Sequence, residues 1–457
     1  MTRTTHCASC QGPKLEGRLG STRHVPQSGS LPDLVYCFRL EIWVNMVPSR
    51  PVALRRSIGH ALSGNLAYTT SQFIILMSVI HLTSTQLVGE YAFALALSAP
   101  VFLLAGLKLR HVQVTDARSE NRLGEYVALR AISSAIAVVV CLAIGLLTLA
   151  SNPMMILASV VAFKAVEAQV DVLYGALQRL EMMDVIARSM LARAIAGSSA
   201  FALVLWGTNS LPMALNALTV TTLLFLFRET RRLQGMGRSP SPEFSGKRML
   251  RLAVISIPLG ISVSVGSITT NVPRYALQFF QGSTDVGIYA SIAYALIATG
   301  MIGGAAAEAS SPRLANLHAQ SNHVAFRRLT LKLAVFGTAL GLVGLAFSIL
   351  LGKPVLRAVF GAEYADQARV LVILMVAATM QYSSLAVGAA VYAMRLFAVQ
   401  VPINALGLLV AAVTGVFLVQ RFGLEGAAWS VVATQAVLGL CYVGVFIAKM
   451  PRKHVPF

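Results

Sequence analysis

Lys164, Glu167, Asp171, Tyr174 and Gln178 are spaced so that, at 100° per helical residue, they fall within an arc of roughly 80°. Charged groups, a phenol and an amide on one helix face are equipped to hold an anion, to pass a coupling ion, or to pair with one another. The stretch that carries them, FKAVEAQVDVLYGALQRLE, is otherwise largely apolar, and the segment after it adds Arg188 and Arg193. Run antiparallel, the two segments place Asp171 and Arg193 at a common depth, each about 10 Å from one boundary. The expected pairs are Asp171 with Arg193 and, one turn deeper, Lys164 with Glu167. Two readings stand side by side: a cavity wall that handles an anion or coupling ion, or an ion-pair network between two helices with some charges snorkelling.

Two further segments are rich in hydroxyls and amides. SGNLAYTTSQF carries Asn65 and Gln72, and the segment at 251–275 carries Asn271, Arg274, Pro258 and Pro273. Ser and Thr bond their own helix readily, so hydroxyls alone say little. Asn65, Gln72 and Asn271 are the candidate polar lining. Each proline removes a backbone bond, which makes Pro258 and Pro273 candidate hinges. Arg274 reads equally as an anion contact or as an interfacial snorkeller. No catalytic constellation accompanies these groups: GxSxG, Walker A and HExxH motifs are all absent, and His60, His81, His111, His318 and His323 are scattered. Of five cysteines, Cys7 and Cys10 make one CxxC pair without the second that a structural zinc site needs. Neither an enzyme, a metal site nor a cofactor is expected, and energy must come from a gradient, a partner or consumption of the substrate.

The elements that hold these residues are set by composition. The chain of 457 residues is 56% hydrophobic and 12% charged, with a mean hydropathy of +0.70. Soluble chains carry about a quarter charged residues. Apolar runs of about twenty residues recur from position 62 onward, the length that spans a hydrocarbon core as a helix. The fold class is therefore all-α and polytopic, with about twelve transmembrane helices. They are expected at 62–82, 87–107, 127–150, 153–177, 186–206, 209–228, 251–275, 286–307, 331–351, 369–393, 398–419 and 424–447. The net charge of +19 sits in short loops beside the spans, where it sets topology and touches anionic lipid rather than nucleic acid. With the N-terminus inside, twenty-three Lys and Arg after Met46 fall on the cytoplasmic side and five on the other, placing both termini in the cytoplasm.

Residues 1–45 differ in composition from all that follows and read as a disordered tail or a misassigned start, with Met46, followed by Arg50, Arg55 and Arg56, as the expected natural beginning. The basic stretch at 229–250 divides the rest into halves, 46–228 and 251–457. Gly89-Glu90-Tyr91-Ala92 opens the second span and Gly287-Ile288-Tyr289-Ala290 the eighth, each after Ser-Thr and a short turn. Halves with an even number of spans enter and leave on one side, as parallel repeats about an axis along the membrane normal. Two six-helix halves around a central cavity are a transporter architecture.

NVPRYALQFFQGSTDVGIYASIAYALIATGMIGGAAAEASSPRLANL at 271–317, VGEYAFALALSAPVFLLAGLKLR at 88–110, YGALQRLEMM at 174–183 and FGLEGAAWSVVATQ at 422–435 resemble, in order and spacing, the Wzx-like polysaccharide flippases of the multidrug/oligosaccharidyl-lipid/polysaccharide exporter superfamily. The resemblance covers about residues 55–448. It implies two six-helix lobes in a V around a hydrophilic cavity, and an undecaprenyl-pyrophosphate-linked oligosaccharide as cargo for O-antigen, capsule or exopolysaccharide assembly. It also implies an inner-membrane location beside a polysaccharide polymerase and a chain-length regulator, and a coupling ion such as H+ or Na+. Lys164, Arg188, Arg193 and Arg274 would then neutralise the pyrophosphate, with Glu167 and Asp171 as ion-pair or coupling groups. Twelve spans depart from the fourteen usual in the lipid II flippase branch. A cation-coupled multidrug exporter is the alternative, but it wants an acidic, aromatic cavity. A membrane polymerase or acyltransferase wants larger periplasmic loops than are found here.

Overall fold

The computed structural model describes residues 54–116 and 121–450; the 1–45 extension, Met46, Arg50, Arg452 and Lys453 lie outside the described residues. The described residues form helices and no strands. In chain order these are α1 (Leu54–Leu82), α2 (Thr85–Gly106), the short α3 (Leu109–Thr115), α4 (Leu123–Thr148), α5 (Ser151–Arg179), α6 (Met183–Thr208), α7 (Leu211–Gly235), α8 (Gly246–Phe280), α9 (Ser283–Ala319), α10 (His323–Val359), the one-turn α11 (Ala362–Ala365), α12 (Ala368–Ala393) and α13 (Gln400–Lys449). Among the described residues, nine helices are long and apolar enough to cross a membrane. The expected twelve exceed that number for two physical reasons. α1 and α5 carry the polar residues of the cavity described below, and α13 runs on past a break at Gly423 (φ 52, ψ −125) that separates its two expected spans. The helical φ/ψ continue through Pro258 and Pro273 in α8.

Helix extends into the basic stretch at 229–250 from both sides. The non-helical residues within it are 236–245. α7 extends because Glu229 is fully buried at its end, where it accepts from Arg232 at 2.7 Å and from Ser189 Oγ at 2.8 Å. The linker then docks on the start of α4, with Glu243 N–H donating to the Gly124 carbonyl at 3.0 Å and Arg248 pairing with buried Glu125 at 3.0 Å.

α2 packs against α4, α5, α8 and α9. Val88, Tyr91, Ala92 and Leu97 lie in one apolar cluster with Ile75 and Val79 of α1, Val160 of α5, Leu277 of α8 and Tyr289 of α9. Ser84 caps α2 by accepting from Leu87 N–H, and the equivalent turn before α9 uses Gly282 at φ 95. The two repeat motifs meet each other. A Cβ at Gly89 would overlap the Ser283 carbonyl, and one at Gly287 would overlap the Thr85 carbonyl and stand 2.9 Å from Gly89 N. Only glycine at both positions lets these backbones cross so closely.

A second contact joins α2 to α8. Pro100 inside α2 has no N–H, so the Ala96 carbonyl loses its helical donor. The Tyr275 hydroxyl of α8 donates to that carbonyl at 2.6 Å, and Ser264 Oγ donates to the Pro100 carbonyl at 2.9 Å. Tyr275→Phe is expected to leave the Ala96 carbonyl unsatisfied and to cost about 1–3 kcal/mol. Gly287→Val is expected to cost more, because backbone must move. Thermal unfolding of the purified protein in detergent measures both, and a Gly287→Val melting temperature equal to wild type contradicts the crossing.

Candidate anion-binding cavity

The polar face of α5 opens into a cavity of about 480 Å³ walled by α1, α2, α3, α4, α5 and α6. α5 places Lys164 and Glu167 one turn apart, and Lys164 Nζ donates to Glu167 Oε2 at 2.9 Å, the pairing expected from the sequence. Asp171, one further turn along, also lines the cavity. The other expected pair is not formed. Arg193 pairs with Glu167, at 3.8 Å, instead of with Asp171. Asp171 pairs with Arg110 at 3.0 Å, and Arg110 Nε also donates to Gln178 Oε1 at 3.0 Å. The reason is α3. Leu107 and Lys108 adopt left-handed backbone (φ 50 and 47), which turns the chain back so that buried Leu109 anchors a short helix against α5 and brings Arg110 into the wall.

Arg130 of α4 is the fourth cation of the lining, and its Nε donates to the Ala168 carbonyl at 3.1 Å. Arg110 and Arg130 went unrecognised in the sequence. The first looked like part of a basic loop. The second was visible as an arginine within an apolar span, a signal in itself. The lining thus sets Arg110, Arg130, Lys164 and Arg193 against Glu167 and Asp171, a net positive charge in an otherwise apolar setting.

Aromatic side chains hold the cations in place. The Arg193 guanidinium lies 5.8 Å from the ring centroids of both Tyr68 and Tyr174, and Arg110 lies 5.9 Å from that of Tyr174. Tyr174 is itself fixed from behind, its hydroxyl 3.0 Å from Ser189 Oγ, which donates to buried Glu229. A second recess of about 400 Å³ shares Arg110, Arg130 and Asp171 and continues the opening past Gln178 and His111. Four cations, Arg110 and Arg193 of them beside tyrosine rings, line one cavity, an arrangement whose chemistry suits a multiply charged anion.

The remaining sequence candidates distribute as follows. Asn65 lines the cavity, and Gln72 lines a small adjoining recess with Tyr68, Glu167 and Arg193. Arg188 is not in the lining. Its side chain is 73% exposed and pairs with Asp184 one turn back. Arg274 and Asn271 belong to a separate cavity, treated below.

Residues 54–318 match the family described as polysaccharide biosynthesis protein. Over 390 residues the chain is 26% identical to the capsular polysaccharide biosynthesis protein CapF of Staphylococcus aureus, covering 85% of this chain and 98% of that one. The fold is similar to that of the lipid II flippase MurJ in an inward closed conformation, with a TM-score of 0.69 at 10% identity over 85% of this chain and 88% of MurJ. It is also similar to the inward-facing conformation of a multidrug resistance MATE family transporter of the MOP superfamily, with a TM-score of 0.63 at 13% identity over 85% and 98% of the two chains.

Because Glu167 separates two poorly exposed cations, Glu167→Gln is expected to lower stability by about 3 kcal/mol, as loss of one buried ion-pair partner does. Arg110→Asp combined with Asp171→Arg is expected to recover most of what either single change loses, whereas Arg193→Asp combined with Asp171→Arg is not. Melting temperatures of the single and double variants decide between the two pairings.

Proposed function

Because the chain belongs to the polysaccharide biosynthesis protein family, we propose that it moves an undecaprenyl-pyrophosphate-linked oligosaccharide from the cytoplasmic to the periplasmic leaflet of a bacterial inner membrane by alternating access. The observation that carries this reading is the excess of cations over carboxylates in the α1–α6 cavity. A charge held within a bilayer is costly and points to a cargo or ion path. Arg110, Arg130, Lys164 and Arg193 bind the pyrophosphate through charge-assisted hydrogen bonds, the strong class for phosphate oxygens. The prenyl chain stays in lipid, where each methylene remains in apolar surroundings.

Glu167 and Asp171 hold the cations apart in the empty state and release them to the anion. That exchange of partners also makes them the candidate H+ or Na+ coupling groups. Connectivity supports a cytoplasmic opening. Gln178 stands at the end of α5 that the Lys and Arg distribution assigns to the cytoplasm, and the Gly89–Gly287 crossing lies at the opposite end. Cargo enters from the cytoplasmic side, and release requires the crossing to part, with Pro258, Pro273 and the break at Gly423 as hinges. A polymerase and its chain-length regulator then consume the repeat unit outside.

A multidrug exporter for cationic compounds is the competing reading, and the positive lining opposes it. Deletion of the gene in its host separates the two. Loss of a surface glycan, with undecaprenyl-linked repeat units accumulating on the cytoplasmic face, is expected. Normal glycan with heightened sensitivity to cationic dyes establishes the exporter instead. Complementation with Arg193→Glu is expected to restore less than a tenth of wild-type glycan.

A further inference from the structure

A second cavity of about 480 Å³ lies among α8, α9, α12 and α13 and shares no lining residue with the first. Its chemistry is different. Arg274 is its single charged lining residue among the described residues, surrounded by Asn271, Gln381, Thr434, Gln435 and Tyr289. No carboxylate pairs with Arg274 among the described residues. Asn271 donates its amide N–H to the Ser267 carbonyl at 2.9 Å, which turns its Oδ1 toward Arg274 to accept from Nη1 at 2.6 Å. The guanidinium is thus held from one side, and its Nε–H is buried without an acceptor. An unmade bond on a buried donor is a standing cost that a bound acceptor relieves.

The lining selects among anions. A diphosphate spreads several charges and calls for several cations, which the first cavity supplies and this one does not. One planar guanidinium fork matches one carboxylate. Primary amides both donate and accept, as sugar hydroxyls do, so Gln381 and Gln435 complement a ring of hydroxyls. Pro273 adds to this by leaving the Thr269 carbonyl, at the cavity edge, without its helical donor. Gly300 and Gly304 add no side chain to the α9 wall, which Tyr289 also lines.

We infer that this second cavity is the glycan subsite, and that Arg274 takes the carboxylate of an acidic sugar in the repeat unit. The inference rests on the flippase reading and extends it. Cargo is held at two points, pyrophosphate in the first cavity and acidic sugar in the second, and neutral repeat units are disfavoured.

The test uses the full-length protein in lipid nanodiscs, titrated by saturation-transfer NMR with three probes: a glucuronate-containing disaccharide, its carboxyl-reduced counterpart, and inorganic pyrophosphate. Wild type is expected to bind the acidic disaccharide at least about tenfold more tightly than the reduced one, the ratio for one charge-assisted contact. Arg274→Gln is expected to abolish that preference and leave pyrophosphate binding unchanged, while Arg193→Gln does the reverse. Equal binding of the two disaccharides by wild type overturns the inference. So does an Arg274→Gln variant that keeps the preference and loses pyrophosphate, which would place Arg274 in the first site. If Arg274→Gln does not fold, Gln435→Leu is read in its place. It is expected to weaken both disaccharides equally, and no effect on either overturns the subsite. Failure of wild type to bind pyrophosphate overturns the flippase reading, independently of the sugar preference.

Discussion

The close crossing of α2 and α9 at Gly89 and Gly287 is the constraint on which the remaining geometry depends. Inside a bilayer, apolar side chains gain nothing by leaving lipid for one another, so helices associate through packing and close backbone approach. Glycine at both positions removes the only atoms that would hold the helices apart. The two tyrosines that follow, Tyr91 and Tyr289, are buried in the same apolar cluster. Tyr289 also lines the cavity of Arg274. The crossing therefore ties α2 to α9 by direct backbone approach. The α2–α8 contact reinforces it, because the carbonyl that Pro100 leaves without a helical donor is satisfied by a tyrosine from the other half rather than by a neighbour in its own.

The polar chamber of the first half survives in a membrane because each expensive group has a specific support. Glu167 serves Lys164 and Arg193 together, Asp171 serves Arg110, and Arg130 leans on a backbone carbonyl. The tyrosines that flank Arg193 do more than add attraction. They limit where the guanidinium can go, and the bonds from Tyr174 through Ser189 to Glu229 carry that rigidity to the end of α7. Glu229 is thereby a structural charge, buried and doubly satisfied, while Glu167 and Asp171 stand where a ligand can compete for their partners.

Much of this was legible in the residues, and the failures have definite causes. The Lys164–Glu167 pair needed only helical spacing. The polar stripe of α5 was readable because five residues shared an arc, and the matching GEYA and GIYA turns were readable, although a sequence does not say that they touch. The proposed Asp171–Arg193 pair assumed that depth decides partnership. Depth ignores rotation about the helix, and it ignores a third element, α3, that delivers Arg110 to Asp171 first. Arg110 itself was hidden because two consecutive left-handed residues, Leu107 and Lys108, turned what looked like a loop back into the wall. Arg188 was a different error. It lies five residues before Arg193, about 140° away on a helix, so both could not face α5. The same arithmetic that found the stripe would have excluded it.

The imbalance of charge in the first cavity is itself what a carrier needs. With a carboxylate for every cation, the site would be closed upon itself, and an incoming pyrophosphate would have to break each pair at a cost comparable to its gain. With no carboxylates, the cations would repel one another when empty and bind the anion too tightly to release it. Passage requires binding strong enough to enter and weak enough to leave. On the proposed reading, two carboxylates among four cations meet both demands: Glu167 and Asp171 order the site, would compete with a bound anion, and would reclaim Arg193, Lys164 and Arg110 as it departs. The second cavity lacks such a competitor, and its single cation bears one unmatched donor. It therefore suits a weaker, singly charged and hydroxyl-rich contact, one that adds recognition without adding a second barrier to release.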